Sequence, residues 1–505
     1  MQRRIAATRG RGTRMFWVAT FAAIQAVLAC WWAAFYPGLF SRDSVQYLSH
    51  TLAGPWVSDH SVLYDAILWL SFTTTGDLGM VTFAQTTAMA GALTYLAQSL
   101  KALGAPRRTT TAVAIALPFV PTTGAFTVTL WKDVPFTICA IAIAGACAGL
   151  AARRAVTPLR LAGLGTLLTL LGLFRANGFL VVAITVAVLL VVVTAARVRL
   201  ALVGAGAAAL PLLLNSLIFP QFGISPPSGT YVYHTAFGDI AVVYREHPEL
   251  FTGEDRALLA SVAPLTRWTE GGTCYTVNPL IWRPDFDWAR ADAHAGELLG
   301  LWRRLLVEQP GLVVDARVCR GSIAWRVAAD QLAVGGSTYR MSLRPNADTY
   351  VGPNKVSDFQ GRQVFSLRPL SPELYQVAQT WLTATLVPRF DWLLWRGALW
   401  SYLSYAAVAL AAWALRNRFV PAVAAVVVGQ QLAILANISA QDFRYLAAPI
   451  FVGVLLVPLL AAAPAKLLRR LVRRRAPADS PPPEPGRRRD AESALLSEPP
   501  DEDES

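Results

Sequence analysis

Ten apolar stretches recur along this chain of 505 residues, near 15–35, 78–100, 110–130, 134–152, 160–174, 178–196, 200–219, 392–415, 419–437 and 445–465. A bilayer core about 30 Å thick is crossed by about 20 apolar residues wound as a helix, and in hydrocarbon only a helix or a closed barrel pairs all of its own backbone groups. The pattern predicts an all-α polytopic membrane protein with about ten transmembrane helices. Composition agrees: 54% of residues are hydrophobic and 15% charged, with a mean hydropathy of +0.41. These values exclude a water-soluble enzyme of this size.

The net charge of +13 would point to nucleic acid in a soluble protein, but its placement gives another reason for it. Lys and Arg resist translocation and collect in cytoplasmic loops. One side carries Arg3, Arg4, Arg9, Arg11, Arg14, Lys101, Arg107, Arg108, Arg153, Arg154, Arg160, Arg197, Arg199, Arg416 and Arg418, then Lys466, Arg469, Arg470, Arg473, Arg474 and Arg475. The short loops of the other side hold Arg42, Lys132, Arg175 and Arg444, a split of 21 against 4. That split fits an even number of spans, both termini cytoplasmic and a multi-pass place in the cell membrane. It makes membrane lipid the expected neighbour and removes nucleic acid as a partner. Trp31-Trp32 and Pro37-Gly38 follow the first span in place of a small-residue cleavage site, so that span is expected to stay as an anchor.

The expected layout is a basic N-terminus 1–14, seven spans in 15–219 with a first external loop 36–77, a segment 220–391, three spans in 392–465 and a tail 466–505. The 220–391 segment, rich in Pro, Gly and charge, reads as a mainly helical extracytoplasmic domain inserted before the last three spans. Within it the periodic run 289–308, the break Gln309-Pro310-Gly311 and a second run to about Leu332 predict an αα-hairpin. Ser371-Pro372-Glu373 predicts a capped helix start. The tail is basic through Arg475, which suits anionic headgroups, then Pro-rich and acidic, a composition that forms no core. Cys274 and Cys319 both fall on the external, oxidising side, where a disulfide between them and two free thiols are both open.

Away from their ends the spans are nearly free of ionisable residues, which argues against an ion-coupled transporter. Polar residues gather instead at the external ends: Tyr36 with Asp43, Ser44 and Gln46; Asp59 with His60; Lys132 with Asp133; Arg175 with Asn177; and Asp442 with Arg444 and Tyr445. Sets drawn from distant parts of the chain to one side of the membrane make a candidate cavity between the bundle and the external domain. Lys132, Arg175 and Arg444 suit a lipid-linked phosphate at headgroup depth. Asp43 suits a general base acting on an acceptor hydroxyl.

Tyr36-Pro37-Gly38, Asp43-Ser44 with Gln46, Asp59-His60, Leu63-Tyr64, Lys132-Asp133-Val134-Pro135-Phe136, Arg175-Ala176-Asn177-Gly178 and Arg444-Tyr445, in that order and on that side, resemble the GT-C superfamily. The closest fit is to its bacterial multispanning glycosyltransferase-like members. The resemblance covers about 30–180 and 392–460 and is weak over the external domain. It implies a GT-C-like fold, hexosyl- or pentosyltransferase activity, a polyprenyl-phosphate sugar as donor and an extracytoplasmic glycan, lipid or protein as acceptor. It also implies that Asp43 is the catalytic aspartate of the first external loop. Relatives usually have His-Pro where this chain has His60-Ser61, which leaves that turn less constrained.

Plainer roles stand beside these. Asp43 suits the N-cap of a surface helix, and Lys132 and Arg175 suit snorkelling residues at the membrane surface. Asp133 and Asp442 suit salt bridges to Lys132 and Arg444, with a divalent cation as the alternative. Asn177-Gly178 suits a turn, and His60 a packed histidine. No zinc pattern, Gly-rich phosphate loop or nucleophile elbow occurs, which leaves the divalent cation at Asp133 and Asp442 as the one cofactor still open. For the whole chain, the alternatives to a transferase are a lipid or polysaccharide flippase or transporter, and a non-enzymatic scaffold for envelope assembly.

Overall fold

The computed structural model describes residues 2–227, 229–328 and 367–475. A helix stands at each of the ten apolar stretches, but the ten are not equal. Five helical segments are long and apolar enough to cross a membrane: Arg14–Ala34, Asp133–Arg153, Thr194–Phe222, Pro388–Leu415 and Phe443–Ala461. Gly79–Leu103 has the length, with 25 residues, but it turns Thr82, Gln85, Thr86 and Thr94 into the protein. The stretch expected as one span at 110–130 is two helical pieces, Arg107–Phe119 and Pro121–Thr127, bent by 66°. Pro118 and Pro121 remove backbone donors at the bend. Pro158–Leu173, Gly178–Val192 and Val420–Ala436 are apolar but short. The 16 residues of the first of these extend about 24 Å at 1.5 Å per residue, less than a hydrocarbon core.

Gly79–Leu103 packs along Asp133–Arg153, Ala425–Ala436 along Gly178–Val192, and Arg197–Leu213 against both Pro158–Leu173 and Gly178–Val192. Small residues permit the approach. A Cβ on Gly429 would lie 2.2 Å from Thr185 Oγ1 and 2.8 Å from the Val181 carbonyl oxygen. One apolar core runs through the bundle, with Leu28, Leu93, Ile141, Leu168, Leu189 and Leu455 fully buried.

The inserted segment builds a second core from Phe237, Ile240, Trp268, Leu280, Phe286 and Leu305. Here the expected hairpin is modified. The run over 289–308 is split at His294 into Trp288–Ala293 and Ala295–Glu308. Its second helix, Pro310–Arg320, ends well short of Leu332, where Gly321 packs against Leu435; residues 329–332 lie outside the described residues. Ser371 caps Pro372–Thr385, accepting from the Leu374 amide at 3.2 Å. That helix packs on the first helix of the chain, so the insert returns to the bundle before residue 392. Cys274 and Cys319 are joined as a disulfide, their Cα atoms 5.7 Å apart.

The chain divides into two compact units, Met1–Ala463 and Pro464–Ser505. The Pro-rich and acidic part of the tail, 476–505, lies outside the described residues. Among the described residues strand-like pairing is confined to three isolated bridges, Leu39 with Thr129, Val57 with Ser225 and Thr276 with Ala440. All three tie together loops that border one cavity.

Candidate functional site

The first loop owes its shape to Ser41. Its hydroxyl accepts from the Ser44 amide at 3.3 Å while the Ser44 hydroxyl accepts from the Ser41 amide at 2.9 Å. This reciprocal box caps Arg42–Leu48,. The cap is therefore Ser41 and not Asp43, whose carboxylate stands on the first turn and turns to other partners. Ser44 Oγ also donates to the Leu130 carbonyl at 2.8 Å, and Trp131 Nε1 donates to Ser41 Oγ. The Leu39 amide donates to the Val128 carbonyl and the Leu130 amide to the Leu39 carbonyl, both at 2.9 Å. This staple sets Asp43 beside Lys132 and Asp133. Ser61, the residue after His60, caps Val62–Thr75 and donates to the Leu173 carbonyl at 2.8 Å. Hydrogen bonds thus constrain the turn that a proline ring would otherwise fix.

A cavity of about 550 Å³ opens here, and its lining takes in every site residue expected from the sequence except Tyr36 and Ser44. Arg444 is its electrostatic centre. It forms an ion pair with Asp43, lies 3.0 Å from Asp442 Oδ2 and 3.9 Å from Asp133 Oδ2, and sits over the rings of Trp131 at 5.3 Å and Tyr445 at 5.1 Å. Arg175 reaches Asp133 Oδ1 at 3.4 Å and also lies over the Tyr445 ring, 4.7 Å from its centroid. Asp133 is 1% exposed, and neither of its oxygens has a hydrogen bond. It is held by two guanidiniums at ion-pair distance. Asn177 caps no helix through its side chain, but the Gly178 amide closes the turn onto the Arg175 carbonyl at 2.8 Å.

Lys132 Nζ donates to His60 Nδ1 at 2.7 Å. The expected pairing of Lys132 with Asp133 is replaced by this bond, because the neighbouring helix start turns Asp133 toward the arginines. Burial and the Lys132 charge hold His60 well below the usual imidazole range, against the opposing pull of Asp43. It is a neutral acceptor. Gln46 Nε2 donates to Asp59 Oδ2 at 2.7 Å, and His50 Nδ1 lies 3.7 Å from Asp59 Oδ1.

The carboxylates are pushed apart in acidity. Burial would raise Asp43, but the charges of Arg444 and Lys132 outweigh it and hold the group well below the usual carboxylate range. Asp442 goes the other way, to about 6, because burial and the charges of Asp133 and Asp43 exceed the pull of Arg444. Asp59 is raised as well, by burial first. Asp43 is thus firmly ionised, and masked by its partner.

Tyr36 stays away from the cavity. Its ring fills the space a side chain at Gly79 would need and lies 5.6 Å from Arg368, which bonds Asp77 at 2.6 Å. Ser44 is fully buried and shapes the loop. The cavity also has lining that sequence reasoning misses. Tyr231, His234, Asn278 and Trp282 come from the insert, and Gln430 and Asn437 from the penultimate bundle helix and its end. Nothing in the spacing of these residues marks them, since they meet only when the insert folds over the bundle. Among the described residues no group of three or more His, Cys, Asp or Glu side chains is arranged to hold a metal ion; Asp43, Asp133 and Asp442 all face Arg444. Compared with known protein families, curated proteins and solved structures, the chain finds no match in any of the three.

Proposed function

We propose that this chain is an integral-membrane glycosyltransferase of the GT-C type, crossing the membrane ten times with both termini cytoplasmic and its cavity on the outer face. It moves a sugar from a polyprenyl-phosphate donor to an extracytoplasmic acceptor. The observation that carries this reading is the meeting, in one cavity, of Asp43 with Arg444, Lys132 and Arg175, three of the four minority-side cations of the sequence beside the aspartate of the first loop.

The donor phosphate is an anion, and it competes with Asp43 and Asp133 for Arg444 and Arg175. Bidentate guanidinium–phosphate bonds are strong and directional. As Arg444 turns to the phosphate, Asp43 loses the charge that suppresses its basicity and can take a proton. The acceptor oxygen then bonds to the anomeric carbon, the bond from that carbon to the phosphate oxygen breaks, and the hydroxyl proton passes to Asp43. Polyprenyl phosphate leaves with the electron pair, its charge held by the cations. The ion pair so keeps the base silent until donor arrives, which limits wasteful hydrolysis.

Asp43→Asn keeps the shape and removes the base, and a general base contributes about 10²–10⁴-fold. In membranes given labelled polyprenyl-phosphate sugars, the correctly inserted variant is expected to lose transfer by that factor. A variant with wild-type transfer rejects the mechanism, and lipid movement without chemical transfer by the wild type rejects the enzyme in favour of a flippase.

A further inference from the structure

The wall of the cavity contributed by the insert differs in kind from the wall contributed by the bundle. On the bundle side the rings of Trp131 and Tyr445 lie against the guanidiniums of Arg444 and Arg175. On the insert side Tyr231 and Trp282 line the cavity, their ring centroids 6.1 Å apart, with Trp288 behind both at 5.9 and 6.1 Å. Trp282 keeps 38% of its surface exposed. Asn278, one turn before Trp282, adds an amide to the same wall, and His234 fixes the Tyr231 backbone through its ring nitrogen. Tyr231 lines the same cavity as Asp43 and Asp59. Burial raises its hydroxyl above the usual phenol range, and the charges of Asp43 and Asp59 add to that.

We infer that this wall binds the acceptor, and that the acceptor is a neutral carbohydrate whose ring stacks on Tyr231 and Trp282 with a hydroxyl directed to Asp43. The inference rests on the transferase reading above and names its acceptor class. An aromatic face carries negative charge density, and the axial C–H groups of a pyranose or furanose present the complementary positive edge. The same ring carries hydroxyls around its rim, which can bond to Asn278 and to the carboxylates across the cavity. A wholly apolar acceptor would strip water from the exposed parts of Asp43 and Asp59 without returning hydrogen bonds, and desolvating a charged group in that way is costly. A sugar satisfies both walls together.

The test supplies native envelope membranes containing the full chain with polyprenyl-phosphate sugars carrying a radiolabelled sugar, and follows both donor consumption and the class of product. The expected product is water-soluble, resistant to protease and released by glycosidase. Label in protease-sensitive or solvent-extractable material overturns the carbohydrate acceptor while leaving the transferase intact. Failure of the wild type to consume any donor rejects the transferase reading itself, and this inference with it. Trp282→Ala is expected to raise the acceptor KM at least tenfold, and Trp282→Phe to restore most of the affinity. An acceptor KM unchanged in a Trp282→Ala protein that unfolds at the wild-type temperature overturns the stacking role. The product-class measurement uses the wild type alone and stands whatever the variant does.

Discussion

Asp65 is the least expected titratable group in the molecule. It lies on Val62–Thr75 with 1% exposure, and neither carboxylate oxygen has a hydrogen bond. Burial pushes it up to about 8, against the pull of Lys132. At neutral pH the folded chain therefore holds this proton, whereas the unfolded chain ionises at about 3.9. The stability this proton supports is complete below about pH 4 and is lost progressively as pH rises to about 8. Asp65→Asn removes that loss. In detergent its unfolding temperature is expected to exceed that of wild type by a margin that widens up to about pH 8 and then levels off; parallel pH curves would place the dependence elsewhere. The sequence hides Asp65 because the whole of 36–77 reads as loop, although one acid in Val62-Leu-Tyr-Asp-Ala-Ile-Leu-Trp-Leu is the usual mark of a buried ionisable group. Lys132, Arg175 and Arg444 are legible for the opposite reason: each interrupts the one-sided distribution of cations. Their partners are not. That Arg444 would take Asp43 and that Lys132 would take His60 depends on contacts across the chain that no local spacing encodes.

Among the elements, apolar length alone locates all ten helical stretches, because burial in a membrane or a core selects the same residues, and the Ser-Pro-Glu signal locates the Ser371 cap,. It does not tell which helices are long, bent or lined with polar groups. Pro118 and Pro121 are visible in the sequence, yet the apolar run continues through them and conceals the 66° bend. Packing is set by features as small as a missing Cβ. Gly429→Ala places a carbon against Thr185 and Val181 and is expected to cost about 1–3 kcal/mol, as overpacking does. Gly206 is the control. It is on Arg197–Leu213 with nothing within 4 Å of a Cβ, so Gly206→Ala is expected to gain about 0.5–1 kcal/mol from helix propensity. Thermal unfolding of the two variants in one detergent reads both signs; a Gly429→Ala protein as stable as wild type would show that the two helices can separate at no cost.

For the molecule as a whole, the insert and the bundle meet at the loop that leads into Asp442 and Arg444. The Val277 amide donates to the Ser439 carbonyl at 2.8 Å and the Gln441 amide to the Tyr275 carbonyl at 3.3 Å. Arg317 donates to the Ala436 carbonyl at 2.9 Å. Gln441 Nε2 donates to the Cys319 carbonyl at 3.0 Å and to Ser322 Oγ at 2.8 Å. The disulfide joins the two stretches of insert, around 275 and around 319, that grip this loop. Cys274→Ser is expected to lower stability by about 2–4 kcal/mol and to speed amide exchange over 436–446 at least tenfold, measured by hydrogen exchange with mass analysis. Unchanged exchange there would mean that the grip does not depend on the bridge. The three isolated bridges carry a wider consequence. Main-chain pairing is indifferent to side-chain identity, so the bridges at 39, 57, 129, 225, 276 and 440 tolerate changes in the lining that spare the side-chain staples of Ser41 and Gln441. A frame of this kind lets the lining drift while the mouth keeps its form, so the chemistry of the cavity can change one side chain at a time.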